Sequence, residues 1–388
     1  MYDLSFQRAE FARVRAETER RAAPLSPEDR SLQSMPDCSP TKWHLAHTTW
    51  FFETFVLAPA GFPPIDDRYG YLWNSYYDAV GPRHARPHRG LLSRPSSDEV
   101  ARYRAAIDER IEAWLATGPD ASSLGVLELG LAHEQQHQEL ILTDILHALS
   151  RNPLLPAYGP WPRSRAGRDG WVSHPGGLVE IGATGAGFRF DNEEPRNRQW
   201  LEPFALAQGL VTLGQVRAFI EDGGYRRPSL WLAAGFDAAR SAGWEAPLHT
   251  RVEGGACVVF GPEGEREADD AEPARHLSAY EADAIARWSG ARLPTEAEWE
   301  VVAVTGALDA VDDVAWQWTS SAYSAYPGYR PALGALGEYN GKFMVEQLVL
   351  RGGSDFTPAG HSRASYRNFW PAATRFQRTG LRLARDLR

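Results

Sequence analysis

Hydrophobic residues in the first 150 positions recur at steps of three and four, the period of helices that each bury one face. After Ser39-Pro40, a helix-start signature, Trp43, His47, Phe51 and Phe55 follow at four-residue steps with Trp50 beside them. Ser97-Asp98-Glu99 opens another stretch in which Val100, Tyr103, Ile107, Ile111 and Trp114 turn inward, and Gly118 closes it. A further one runs from about Ser122 to Leu149, and residues 5 to 22 form an amphipathic fourth. Four such faces are buried together in a four-helix bundle. The connection from about Ala58 to Ser96 has little periodicity, and compact domains seldom keep loops of that length unless they function.

Beyond residue 152 the pattern changes. Pro153 to Gly170, rich in Pro, Gly and Arg, predicts a linker. After it come Gly- and Trp-rich stretches with short β-like runs, such as Leu348-Val349-Leu350 ending at Arg351-Gly352-Gly353. Two helices are announced by capping boxes, Ser278-Ala279-Tyr280-Glu281 and Thr295-Glu296-Ala297-Glu298. The pattern therefore predicts an α+β chain: a helical bundle over 1–152, a linker over 153–170 and a loop-rich domain over 171–388, with no internal repeat.

Composition narrows the function without naming it. With 388 residues, 43% of them hydrophobic and 23% charged, the chain can fill two cores. A formal net charge of -9 and scattered Lys and Arg give no basic stripe, so neither nucleic acid nor a membrane is expected as partner, and a small molecule is. The polar opening, Met1 to Arg21, and the absence of a long apolar run predict a cytoplasmic protein. Cys38 and Cys257 lie in different halves and read as structural thiols. Oligomeric state leaves no mark in the sequence.

The chemistry concentrates in Ala132-His133-Glu134-Gln135-Gln136-His137. On a helix, His133 and His137 stack on one face and can grip one metal ion. His47 lies on the inward aromatic face of a different helix, and bundle cores are where facing helices build metal sites. Three neutral imidazoles leave several coordination positions open, which suits iron(II) with oxygen and substrates. His44 and His147 are assigned to packing or to contacts behind the ligands. His-Glu-x-x-His is also a zinc hydrolase signature with the glutamate as base, which stands as a lesser alternative. The usual third zinc ligand is missing, because position 140 is Leu rather than Gly and no glutamate lies between Glu139 and Glu180.

Ser39-Pro40-Thr41-Lys42-Trp43-His44-Leu45-Ala46-His47-Thr48-Thr49-Trp50-Phe51-Phe52-Glu53, with the later His133 to His137 run, resembles the DinB-like domain of the ergothioneine-type (hercynine) sulfoxide synthases. The second half is similar to their partner domain, related to formylglycine-generating enzyme and of C-type-lectin-like fold. Its marks are Ala291-Arg292-Leu293-Pro294-Thr295-Glu296-Ala297-Glu298-Trp299-Glu300, Trp316-Gln317-Trp318-Thr319, Glu338-Tyr339-Asn340-Gly341-Lys342-Phe343-Met344, Leu350-Arg351-Gly352-Gly353-Ser354 and Gly380-Leu381-Arg382-Leu383-Ala384-Arg385.

The resemblance implies a nonheme iron enzyme that uses O2 to join the sulfur of a thiol, cysteine or γ-glutamylcysteine, to the imidazole C2 of hercynine, a trimethylated histidine betaine. It makes His47, His133 and His137 the iron(II) ligands and Gln136 and Asn368 partners of hercynine. Tyr77, with Tyr76 beside it, becomes the expected proton donor. Phe369 and Trp370 are expected against the trimethylammonium, and Arg86 and Arg89 at a substrate carboxylate. The stretch Ser354-Asp355-Phe356-Thr357-Pro358 departs from the Arg-Gly-Gly-Ser-Cys-Ala-Thr-Pro usual in sulfoxide synthases. Asp355 and Phe356 there offer a carboxylate and a ring to a sugar, so the related selenoneine synthases, which use a selenosugar donor, stand as the alternative.

Overall fold

The computed structural model describes residues 3–387. Two compact units emerge, one formed by Met1–Leu154 with Ala332–Tyr339 and the other by Leu155–Pro331 with Asn340–Arg388.

The first unit is built from helices α1 (Leu4–Ala22), α2 (Thr41–Phe52), α3 (Tyr69–Trp73), α4 (Ser97–Leu115) and α5 (Ala121–Leu149). The Asp3 carboxylate accepts from the Ser5 N–H at 2.9 Å to start α1, and Asp120 accepts from the Ser123 N–H at 2.8 Å to start α5. A capping box of Ser96 and Glu99 opens α4. Helix α2 packs against α4 and α5, and all of its residues are buried. Its position at the centre explains why the aromatic stripe read from the sequence spreads around the helix. After Phe52 the chain widens into a π-turn over Glu53–Leu57, in which Phe55 still lies on Phe51, as its four-residue step predicts, and on Tyr77, with ring centres 4.8 and 5.0 Å away. Gly130 lets α5 come this close: a Cβ there would lie 2.5 Å from the Phe52 ring.

The long connection is ordered by side chains rather than by regular structure. Glu53 accepts the Ile65 N–H at 2.7 Å and the Tyr103 hydroxyl at 2.5 Å. Asn74, fully buried, donates to the carbonyls of Tyr77 (3.0 Å) and Gly81 (3.1 Å) and accepts the Tyr77 N–H (3.1 Å). Glu338, from the late segment of this unit, accepts the N–H groups of Asp78 and Ala79 at 2.9 and 2.8 Å.

Among its described residues the second unit has twelve short strands, β1 (Trp171–His174), β2 (Gly177–Ile181), β3 (Asn197–Leu201), β4 (Phe204–Ala207), β5 (Thr250–Glu253), β6 (Ala256–Gly261), β7 (Gly264–Glu267), β8 (Trp316–Ala322), β9 (Leu348–Arg351), β10 (Asn368–Trp370), β11 (Thr379–Gly380) and β12 (Ala384–Asp386). They form sheets in the orders β1-β4-β12, β10-β9-β8-β11, β2-β3 and β5-β6-β7, with only β11 parallel to its neighbour. Helices α6 (Leu213–Glu221), α7 (Ala233–Ser241), α8 (Ala279–Trp288) and α9 (Glu296–Ala303) cover them, and the two capping boxes read from the sequence start α8 and α9. One core joins Ile181, Phe204, Leu206, Val302 and Ala384. Arg351, fully buried, reaches Glu296 at 2.9 Å, and the Gly352 that follows has φ +95° with the Val311 carbonyl 2.2 Å from where a Cβ would stand.

Within the stretch expected as a linker, Pro153 to Gly170, one residue packs into the core of this unit. Ala166 is 2% exposed in a cluster with Leu210, Val314 and Ala315, and its carbonyl accepts the Leu210 N–H at 2.7 Å. Residues 332–339, in turn, fold with the helices rather than with the strands that flank them in sequence.

Candidate metal centre

His47 on α2 and His133 and His137 on α5 each offer one ring nitrogen, and the three nitrogens lie within 4.8 Å of one another in a buried cluster. The Nε2 atoms of His47 and His133 are 3.2 Å apart. His47 sits between two indoles, stacked on Trp43 at 4.5 Å and on Trp50 at 5.7 Å, as positions four before and three after it on a helix require. Its Nδ1 is 2.6 Å from the Trp73 carbonyl, so that nitrogen carries the hydrogen and Nε2 turns its lone pair to the cluster. The His137 Nδ1 lies 2.8 Å from Nδ1 of His44, whose Nε2 is 3.0 Å from Asp144 Oδ2. The Phe51 ring lies 4.8 Å from that of His133.

Burial pushes all three imidazoles down, with neighbouring ring charges assisting for His47 and His137: both fall well below the usual histidine range, and His133 falls to about 3. Uncharged rings with lone pairs turned inward are the ligand form, and His133 also keeps a buried Nδ1 without a hydrogen-bond partner. The residues thus fit a borderline divalent cation held on nitrogen alone, with coordination positions left over.

Glu134, the base of the hydrolase alternative, is elsewhere. One residue past His133 it points away from the imidazoles, and its carboxylate is held by Arg15 at 2.8 Å and Arg104 at 3.0 Å. Although burial opposes its charge, these two guanidinium groups hold it at about 2. Held by these arginines, it is not placed to act as a base at the cluster, so the zinc hydrolase expectation loses its catalytic group.

Around the histidines, Tyr77 is fully buried against Trp50, Phe51 and Phe55, its hydroxyl is 3.4 Å from that of Tyr76, and burial raises it well above the usual phenol range. Tyr339, which the sequence offered only as part of a resemblance motif, also belongs here. Its hydroxyl donates to the Gln136 side-chain oxygen and its ring stands edge-on to His133, centres 5.6 Å apart. No local signal could have announced a partner 203 positions away.

The remaining expected residues divide. Arg89 is buried, donating to Ser39 Oγ at 2.9 Å and Ser75 Oγ at 3.2 Å, and burial lowers it to about 8. Arg86 is exposed and donates to the Asp37 carbonyl. In the second unit, Asn368 Oδ1 accepts the N–H of Phe369 at 2.8 Å, Phe369 stacks on Tyr323 at 3.9 Å, and Trp370 meets Phe376 edge-on at 5.5 Å. Asp355 is engaged by Arg378 with two hydrogen bonds, one of 2.8 Å, and accepts from Trp161 Nε1 at 3.1 Å. Phe356 is 1% exposed, with Arg378 over its ring at 4.4 Å and Trp161 at 5.2 Å, so its face is already covered. Both cysteines are buried free thiols. Among the described residues, no helix is long and apolar enough to cross a membrane.

Residues 10–141 match the DinB superfamily and residues 160–312 match the sulfatase-modifying factor enzyme 1-like domain. The hercynine oxygenase of Mycolicibacterium smegmatis is 31% identical, over 92% of this chain and 93% of its own length. That of Mycolicibacterium thermoresistibile is 30% identical over 98% and 95%. The formylglycine-generating enzyme of Streptomyces coelicolor is 35% identical over only 38% of this chain and 51% of its own. Similarity that runs nearly from end to end, through a helical half and a sulfatase-modifying-factor-like half, makes this chain an oxidoreductase of the hercynine oxygenase family.

Proposed function

We propose that the chain uses iron(II) and O2 to form a carbon–sulfur bond at the imidazole C2 of hercynine. The reaction removes the C2 hydrogen and the thiol hydrogen, forms a C–S bond, places one oxygen atom on sulfur and releases the other as water. The observation that carries this reading is the convergence of three uncharged imidazoles, joined by no carboxylate donor among the described residues, beside a Glu134 that is committed to two arginines.

Iron(II) held by His47, His133 and His137 would supply the electrons that make O2 reactive. The chain's own residues do the rest. Gln136 and Tyr339, hydrogen-bonded to each other, offer an amide and a phenol to the hercynine imidazole. Arg89 presents a buried guanidinium with no carboxylate bonded to it, suited to the carboxylate of a substrate. Tyr77 holds a proton that burial keeps on oxygen until a strong base forms beside it, which steers turnover to bond formation rather than to oxidation of the donor alone.

The test is a competition. Protein, iron(II), hercynine and air are mixed with cysteine, γ-glutamylcysteine and a selenosugar, and product masses are read. A hercynine sulfoxide from one of the thiols is the expected product. A seleno adduct would move the donor to selenium, and peptide cleavage by zinc-loaded protein that ignores hercynine would overturn the proposal. Iron content should be about one per chain and should fall in His137→Ala.

A further inference from the structure

His44 is not a ligand in the geometry above, yet it faces one. Its Nδ1 is 2.8 Å from His137 Nδ1, and a contact of that length between two ring nitrogens holds one hydrogen. Which ring donates is decided at the other side of His44. There Nε2 is 3.0 Å from Asp144 Oδ2, which also accepts the Ser39 N–H at 2.7 Å. A neutral His44 with its hydrogen on Nδ1 would turn a bare Nε2 lone pair on a carboxylate oxygen. With the hydrogen on Nε2 instead, both contacts are filled: His44 donates to Asp144, and His137 Nδ1–H donates to His44.

We propose that Asp144 and His44 are positioning residues that fix the tautomer and ring plane of His137, so that its Nε2 keeps a lone pair turned to His47 and His133. The proposal rests on the metal-binding reading of the three histidines. It also separates their roles. The Trp73 carbonyl does for His47 what His44 does for His137, whereas His133 Nδ1 has no such support. Ser39 precedes α2 and Asp144 lies on α5, so one carboxylate ties the approach to α2 and, through His44, the orientation of a ring on α5.

The test uses metal-free protein labelled with 15N in histidine, in which long-range proton–nitrogen correlations report each ring's tautomer, together with titration of cobalt(II) followed by its visible absorption. Wild type should show His137 with its hydrogen on Nδ1. His44→Leu should weaken cobalt(II) binding by about 10- to 100-fold. His44→Asn, whose Oδ1 falls near the lost Nδ1 and can accept from His137, should restore most of it, and His44→Gln, which reaches Asp144 but leaves His137 alone, should not. A merely structural role would not separate Asn from Gln, and this pair carries the test if leucine prevents folding. A wild-type His137 with its hydrogen on Nε2, or equal cobalt(II) affinity in wild type, Asn and Gln, overturns the proposal. Wild-type protein that binds no cobalt(II) or iron(II) overturns the metal reading instead, and the tautomer measurement still judges this one.

Discussion

The guanidinium of Arg89 lies 3.4 Å from the ring centre of Trp43, and the same indole stacks on His47 at 4.5 Å. The cation proposed to bind substrate and the ring proposed to bind metal therefore share one aromatic support.

Arg89→Lys should be far from conservative. Lysine lacks both the fork that reaches Ser39 and Ser75 and the plane that stacks on indole. The expected result is a KM for hercynine or for the donor raised about tenfold or more, worth about 1.4 kcal/mol, with kcat less affected. Steady-state kinetics with each substrate varied in turn checks it; unchanged KM values would remove Arg89 from the binding site.

Glu134→Gln should damage stability before it damages chemistry. The substitution leaves Arg15 and Arg104 facing a neutral amide in a fully buried place, and breaking a buried ion pair costs about 3–5 kcal/mol. Urea unfolding should show the loss, while the folded protein keeps its metal stoichiometry. An unaltered urea midpoint would contradict the role assigned to this carboxylate.

Tyr77→Phe should shift turnover from hercynine product to oxidised donor, and Tyr339→Phe, which removes the hydrogen bond to Gln136, should chiefly raise the KM for hercynine. Product partition by mass spectrometry distinguishes the two phenols. If partition shifts only in the Tyr339 variant, the proton donor is Tyr339.

The metal-free protein should lose stability on acidification below neutrality. For His133 the folded-state value, about 3, lies below the ordinary 6.5, so the unfolded chain binds the proton first. The associated stability is fully present above pH 6.5 and drains away as pH falls toward 3, at up to about 1.4 kcal/mol per pH unit for each such imidazole. His47 and His137, shifted the same way, add to the slope. Urea midpoints at pH 7, 6 and 5 would test it, and bound metal should flatten the dependence near neutrality.

The three histidines were legible because two are four apart on one helix and the third lies in an aromatic stripe. Both rules act within a single helix and survive without knowledge of the fold. The capping boxes at Ser278 and Thr295 were legible for the same local reason, and the helix expected to open at Ser97 begins there, with a capping box of Ser96 and Glu99 that the sequence reading did not name. What escaped was decided over distance. Nothing near Tyr339 marks it as a neighbour of His133, nothing near Asp355 marks Arg378 as its partner, and Pro- and Gly-rich composition concealed the buried Ala166. The π-turn over Glu53–Leu57 also went unread, because Phe55 keeps its contact with Phe51 across it.

Residues Ala332–Tyr339 fold with the bundle although the chain reaches them only after most of the second unit has been made. A fragment ending at Leu154 would keep all three imidazoles yet lack the phenol beside His133 and the carboxylate that pins Asp78 and Ala79. Exchanging the later half for that of a relative would likewise import new side chains into the earlier one. Recombination between such genes therefore edits the reactive centre even when every histidine is inherited intact.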